Sequence, residues 1–236
     1  MMQLTIAPEP PSFKTKVREP GENALALLAG EPLPHKRLGR PLTLMKTVGG
    51  ASVRKTIDDF PYWQDCLDDL HAAYDGICAY YCFRVEQATI PHVDHFLAKS
   101  DRSTALAYDW RNYRFACGHA NARKNKFPDV LDPASIQDGW FQLDLDTLAV
   151  HADPSLPSPL RERVEATIER LQLHKGRALE VRRRAMSKFR RGMQMEFLAE
   201  DHPYLARELA RQGIHTKEQL PSIPASLVEA REPELS

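Results

Sequence analysis

Apolar residues recur at steps of three and four through 57–74, where Phe60, Trp63, Leu67, Leu70 and Tyr74 form one stripe. Asp58 or Asp59 can cap its start and Gly76 its end, so a helix that delivers the chain to Cys78 is predicted. From Gly76 to Phe127 the segments shorten. Residues 88–96 are rich in β formers, 113–117 alternate, and 121 onward suits a short helix with a polar first turn, which gives the order strand, loop, strand, helix. Alternation returns at 139–145, Asp146-Thr147 can turn, and Leu148-Ala149-Val150 follows, as in a β-hairpin expected beside the preceding unit. Past the prolines of 154–159, one helix carries Leu160, Val164, Ile168 and Leu171 and the next Leu179, Met186, Phe189, Met193 and Phe197. A last helix near 203–212 stops at Gly213, and the tail from Pro221 reads as frayed.

The N-terminal stretch reads differently. Pro8, Pro10, Pro11 and Pro20, then Pro32, Pro34 and Pro41, predict an extended arm over 1–56, broken by a short helix at 23–29 and wrapping the core or a partner. Three regions are therefore expected: this arm, a core at 57–152 and a helical region at 160–236. The fold class is α+β, mainly helical around a small unit of strands.

Composition changes this picture little. A chain of 236 residues can bury a substantial core, and 32 basic residues balance 32 acidic ones, so any polyanion surface must come from local clustering. No apolar run approaches membrane-spanning length, and the first residues lack a basic segment followed by a long apolar one, so a cytoplasmic protein without a membrane partner is expected. Four cysteines are too few for a disulfide scaffold, and Cys78, Cys82 and Cys117 flank the short-segment region as metal ligands or reduced core thiols.

The chemistry concentrates in Pro91-His92-Val93-Asp94-His95-Phe96, Asp109-Trp110-Arg111-Asn112 and Cys117-Gly118-His119-Ala120-Asn121-Ala122-Arg123-Lys124. Hydrolysis of a phosphodiester needs an activated water, a cation to offset developing charge, and groups that fix geometry. His95 has the intrinsic pKa to take a proton from water if its other ring nitrogen is held, typically by a backbone carbonyl. Asp94 and Asn121 offer hard oxygens to one Mg²⁺ or Mn²⁺, leaving most of its shell to water and phosphate. Asn112 joins the catalytic set through the loop it braces, because its amide can bond back to the backbone and hold the loop that orients His95. Lys124, three residues after Asn121, is placed to meet a phosphate, with Arg123 and Lys126 adding charge. His92 shares a strand face with Asp94 and is a further ligand or nucleic-acid contact, or else a surface or packing residue.

This set resembles the HNH endonuclease family, whose ββα-metal unit reads as an acid-His pair on the first strand, an Asn in the loop and a His or Asn on the helix. Phe96, Lys99-Ser100, Trp110, Ala116-Cys117 and Lys124 extend the match. A looser similarity, to HNH proteins of bacterial anti-phage and retron-type operons, runs from Tyr62-Trp63 through Cys78-Ala79-Tyr80-Tyr81-Cys82 to Leu131-Asp132-Pro133 and Asp138-Gly139-Trp140-Phe141. The resemblance implies a metal-dependent nick or cut in DNA that leaves 5′-phosphate and 3′-hydroxyl ends, in a defence complex with an ATPase or sensor partner. RNA is a second substrate class, and a non-catalytic nucleic-acid-binding or assembly subunit with the same fold is the rival reading. Many HNH proteins bind a structural zinc through two Cys-x-x-Cys pairs. Here the candidates are Cys78, Cys82, Cys117 and His119, with Ala120 where a last cysteine would stand, a poor spacing that favours buried thiols.

Plainer readings apply elsewhere. Arg182-Arg183-Arg184, Lys188, Arg190 and Arg191 fit a solvated helix face, with DNA-backbone contact as the rival, and Trp63, Trp140 and Phe141 fit core packing.

Overall fold

A computed structural model describes residues 1–37, 39–85, 91–99 and 104–221. The expected strand residues 88–90, Ser100 of the motif and the tail from 222 lie outside them. The chain is a mixed α+β fold of helices and small antiparallel hairpins, in two compact units, Met1–Asp138 and Gly139–Ser236. No helix among the described residues is long and apolar enough to cross a membrane.

Where proline content predicts an extended arm, residues 11–29 are helical. The run consists of α1 (Pro11–Phe13), a π-helical segment (Lys14–Arg18) and α2 (Glu19–Ala29). Pro11 sits in the first turn, where a missing N–H costs nothing. Pro20 cannot donate to an α-helical ladder, and the wider turn just before it, in which Glu19 N–H reaches Lys14 O, absorbs that gap. Gly30, at φ 78°, ends the run. Residues 1–10 form no helix or strand and are tied down by hydrogen bonds: Leu4 N–H donates to Pro133 O at 2.8 Å, Ala7 N–H to Tyr74 Oη at 3.1 Å, and Trp110 Nε1–H to Ala7 O at 2.8 Å.

A hairpin follows, β1 (Met45–Val48) and β2 (Ala51–Arg54), closed by Gly49-Gly50 with both φ values positive. The single helix expected over 57–74 is instead divided. Short 3-10 turns at Ile57–Asp59 and Tyr62–Cys66 precede α3 (Leu67–Ala73). Pro61 lacks the N–H that a continuous helix needs, so the stripe survives while the helix does not.

The next unit is the strand, loop, strand, helix order read from the sequence. β3 (Pro91–His95) pairs antiparallel with β4 (Tyr113–Cys117) in a register that sets Asp94 opposite Arg114 and His95 opposite Tyr113. Helix α4 (Gly118–Lys124) starts directly from β4. All five β4 residues are buried, so both of its faces are covered.

The second unit begins with β5 (Phe141–Leu143) and β6 (Val150–Ala152), then α5 (Ser158–Leu171), α6 (Gly176–Arg190), α7 (Met195–Asp201) and α8 (Pro203–Arg211). This hairpin belongs with the C-terminal helices rather than with the 57–152 core where the sequence reading puts it. Leu143 N–H donates to the buried Glu208 carboxylate at 3.1 Å, and Tyr204 Oη to Phe141 O at 3.2 Å. The stripe read as one helix to Phe197 is cut by Gly192, at φ 107°. Arg182 is not on a solvated face but buried, donating to Leu148 O and Leu173 O, whereas Arg183 and Arg184 are exposed.

The N-terminal helix is seated closely. A methyl group at Gly21 would lie 2.1 Å from Tyr108 Cγ. Gly21→Ala is expected to lower stability by about 1–3 kcal/mol through overpacking. Thermal unfolding checks this; an unchanged Tm would mean that the ring swings away freely.

Candidate functional site

Strand geometry divides the Asp-His pair. Successive residues of a strand point to opposite faces, so Asp94 and His95 are neighbours in sequence but keep separate company.

On one face stands a buried charge cluster. Asp94 is 4% exposed; its Oδ2 accepts from the Tyr80 hydroxyl, and its Oδ1 from the Lys124 ammonium at 3.2 Å. Lys124 also donates to His95 O at 2.9 Å and Asn125 O at 3.3 Å. Opposite Asp94, the buried Arg114 holds Asp132 through both carboxylate oxygens, Nε to Oδ1 at 2.9 Å and a terminal nitrogen to Oδ2 at 2.6 Å. Its remaining nitrogen donates to Arg111 O and Tyr113 O, each at 2.8 Å. Burial pushes the Asp94 carboxyl above its usual range, while the Lys124 charge and the Tyr80 hydrogen bond pull it down. Burial, then the Asp94 charge, push the Tyr80 phenol well up, so it stays a donor.

On the other face the His95 ring lies between the Trp63 and Tyr113 rings, both edge-on with centroids 5.0 Å away. Its Nε2 bonds Ala107 O at 2.9 Å. A carbonyl only accepts, so the neutral ring carries its proton on Nε2 and presents Nδ1 as the basic nitrogen. Nδ1 has no hydrogen-bond partner among the described residues, in a side chain that is 8% exposed. Burial lowers the His95 pKa to about 4, with Lys99 and Lys124 adding to the shift and the Ala107 bond opposing it. Lys99 lies over the Trp63 ring, 3.7 Å from its centroid, and pairs with Asp58 at 2.7 Å.

Asn112 ties the loop between the strands. Its Oδ1 accepts from Leu97 N–H at 2.8 Å, and its Nδ2 donates to Leu97 O at 3.0 Å and Leu106 O at 3.1 Å. Those bonds tie Leu97, just past β3, to Leu106, the residue before Ala107.

No family model and no curated protein matches this sequence.

Lys124, expected on the phosphate face, is 1% exposed and spends its donors inside. The helical period explains this, since Lys124 follows the fully buried Ala120 by four residues and turns inward with it. Arg123 and Lys126 are exposed and open to a polyanion; Asn121 and His92 are half-buried. The side-chain amide of Asn121 makes no hydrogen bond among the described residues.

The resemblance asks Asp94 and Asn121 to hold a divalent cation. Both Asp94 oxygens are engaged, and a cation on Oδ1 would meet the Lys124 ammonium within a few ångströms in a poorly solvated place. As arranged, this donor set does not fit a divalent cation. Nor does the zinc set assemble. Cys78 and Cys117 Sγ are 3.8 Å apart, Cys82 Sγ lies 3.9 Å from the carbonyls of Ala79 and Tyr80, and His119 is exposed. Among the described residues no three His, Cys, Asp or Glu side chains are grouped to hold a metal.

Tyr80, Arg114, Asp132 and the Ala107 carbonyl belong to the site although the sequence pattern did not mark them for it. The inward period of α4 was a signal for Lys124. A carbonyl brought in by a loop leaves no mark in the side-chain pattern.

Two outcomes follow from the cluster and the ring. Lys124→Met strands a buried carboxylate and is expected to cost about 3–5 kcal/mol, with much of the loss recovered in the Asp94→Asn/Lys124→Met double variant. Urea titrations of the parent, Lys124→Met, Asp94→Asn and the double variant check it, and additive losses would mean the pair is not coupled. For His95, the folded pKa lies below the unfolded value, so the unfolded chain binds the proton first as pH falls. Its contribution is full above about pH 6.5 and is lost between there and pH 4, by about 3 kcal/mol. His95→Gln should flatten that part of the stability profile relative to the parent protein.

Proposed function

We propose that this protein is an HNH-type endonuclease that hydrolyses phosphodiester bonds in DNA, with His95 as general base. The observation that carries the reading is the Nε2 to Ala107 O bond, which fixes the tautomer and leaves Nδ1 as the basic nitrogen. The ββα order of β3, β4 and α4 and the Asn112 clamp support it.

The chemistry rests on the protein's own groups. Water beside Nδ1 gives up its proton to the ring as its oxygen attacks phosphorus; the P–O3′ bond breaks, the phosphate stays on the 5′ side, and the departing 3′ oxygen takes a proton from solvent to become the 3′-hydroxyl. A free-state pKa of about 4 keeps the ring neutral and ready at physiological pH but makes it a weak base. A bound phosphodiester places negative charge near the ring and favours the imidazolium that forms. The Asn112 clamp and the two flanking rings keep the imidazole in one orientation while this happens, which is worth more in rate than added basicity if the ring would otherwise rotate. Arg123 and Lys126, exposed on and just after α4, are the cations placed to hold the backbone.

A second reading has one observation in its favour. Lys124 holds Asp94 where the family pattern puts a metal, which suits a nucleic-acid-binding or assembly subunit that keeps the fold without turnover.

Plasmid nicking decides between them. With Mg²⁺ or Mn²⁺ present, His95→Ala is expected to nick about 10²–10⁴ times more slowly than the parent. Equal rates would remove His95 from the chemistry. Undiminished DNA binding with no cleavage under any divalent ion would establish the second reading. Matched single- and double-stranded DNA and RNA substrates read the sugar preference.

A further inference from the structure

The β1–β2 hairpin is an element with no core of its own. Seven of its eight strand residues are exposed, including Met45, Val48 and Val53, and Lys46 is half-buried, so neither face of the ribbon is covered by the described residues. Two strands alone are marginal in water, so this ribbon depends on its roots. Lys46 pairs with Asp59, Lys55 N–H donates to Leu44 O at 2.7 Å, Arg54 donates to Leu28 O at 3.0 Å, and the Lys55 ammonium lies 5.4 Å from the Phe60 ring centroid. It is fixed at its base and bare along its length.

Its charge is as one-sided as the whole chain is balanced. Between Glu31 and Asp58 stand 26 residues without a single carboxylate side chain and with six Lys or Arg: Lys36, Arg37, Arg40, Lys46, Arg54 and Lys55. Only Lys46 pairs with a carboxylate among the described residues. Arg37 instead donates to Tyr62 Oη and Arg40 O, each at 3.2 Å, and stays exposed. Positive charge is thus concentrated in the ribbon and the chain leading into it, with Lys46 alone paired to a carboxylate among the described residues and the apolar Val48 next to the tip.

We propose that the β1–β2 ribbon is a docking element for double-stranded DNA, entering the major groove while the flanking basic residues hold the phosphates. The assignment rests on the nuclease reading for its choice of DNA. Two strands ~4.8 Å apart with their side chains match a groove about 12 Å wide. The Gly49-Gly50 tip carries no side chain to obstruct entry. Arg37, Arg40 and Arg54 meet backbone phosphates, and Val48 and Val53 meet base edges, where thymine methyl groups offer apolar contact. A peptide partner pairing with the bare strand edges would use the apolar residues but would leave the acid-free basic run without a role.

Binding and cleavage test separate claims. Fluorescence anisotropy with a 20-bp duplex, on the His95→Ala protein so that no cutting intervenes, compares the parent ribbon with Arg37→Ala/Arg40→Ala/Arg54→Ala and with the same three changed to Lys. The Ala triple is expected to bind at least tenfold more weakly and to flatten the salt dependence by about 2–3 in log-log slope, since each phosphate contact contributes roughly 0.9. The Lys triple is expected to stay within about threefold of the parent, which separates lost charge from a damaged fold. Unchanged affinity in the Ala triple, or equal loss in the Lys triple, overturns the proposal. So does tighter binding of single strands, duplex RNA or no nucleic acid at all. Nicking by the protein with His95 intact is read separately: if it equals that of His95→Ala, the nuclease reading falls while a ribbon effect on DNA binding stands.

Discussion

The Asp94–Lys124 pair, with Arg114–Asp132 across the strands, is the constraint on which the motif unit is assembled. Four charged groups, three of them almost wholly out of water, survive there only because each is answered. Lys124 answers Asp94 and also caps the His95 and Asn125 carbonyls, so one ammonium joins the end of β3 to the end of α4. Arg114 anchors Asp132, eighteen residues further along the chain, against the middle of β4. The Phe96 ring lies 5.4 Å from Lys124 and 5.5 Å from Arg114, measured from its centroid, filling the space between the two cations with a face that attracts both. A five-residue strand pair and a seven-residue helix are too short to hold their arrangement by backbone bonds alone. The ionic lattice gives them one register.

Because a strand alternates, locking Asp94 inward on one face aims His95 to the other. The division separates two demands that conflict in a single place. A pair of buried opposite charges wants no water, whereas an imidazole acting as the proposed general base must reach it. His95 is held by neutral partners only: a carbonyl on Nε2 and two aromatic edges. Ala107 O also accepts from the Tyr113 hydroxyl at 2.6 Å, so the carbonyl that sets the tautomer is itself held from β4. Asn112 closes the arrangement from the loop, which makes the orientation of the ring a property of the whole hairpin.

Much of this was legible in the chain, and the failures have physical causes. The β3, loop, β4, α4 order follows from short segments of distinct period between Gly76 and Phe127. The 57–74 stripe gave the buried face correctly, with Trp63 and Leu70 both inside, but periodicity cannot see that Pro61 withdraws one N–H from the ladder. Proline misled in the other direction at the N-terminus, since Pro11 at a first turn and Pro20 behind a π-helical segment are both compatible with helix. Lys124 shows a different limit. Charge argues for the surface, and only its four-residue step from Ala120 argues for the interior; the carboxylate waiting there comes from a strand 30 residues away. The β1–β2 ribbon escaped notice because a hairpin with no buried face has no reason to alternate, and the Gly49-Gly50 pair was its one local mark.

The segment from Thr56 to Trp63 links ribbon and ring. Thr56 and Asp59 cap each other's backbone, which fixes the short turn between them. From that turn two consecutive carboxylates lead apart, Asp59 to Lys46 on the ribbon and Asp58 to Lys99, whose ammonium lies over the Trp63 ring beside His95. Exposed ion pairs of this kind add little to stability, and Asp58 is the most exposed of these groups. Their value is positional: a turn too short to flex sets the root of a cationic ribbon and the wall of the imidazole from the same few residues. In the proposed nuclease, DNA gripped by the one is thereby presented toward the other, which a long flexible arm carrying the same charges would not achieve.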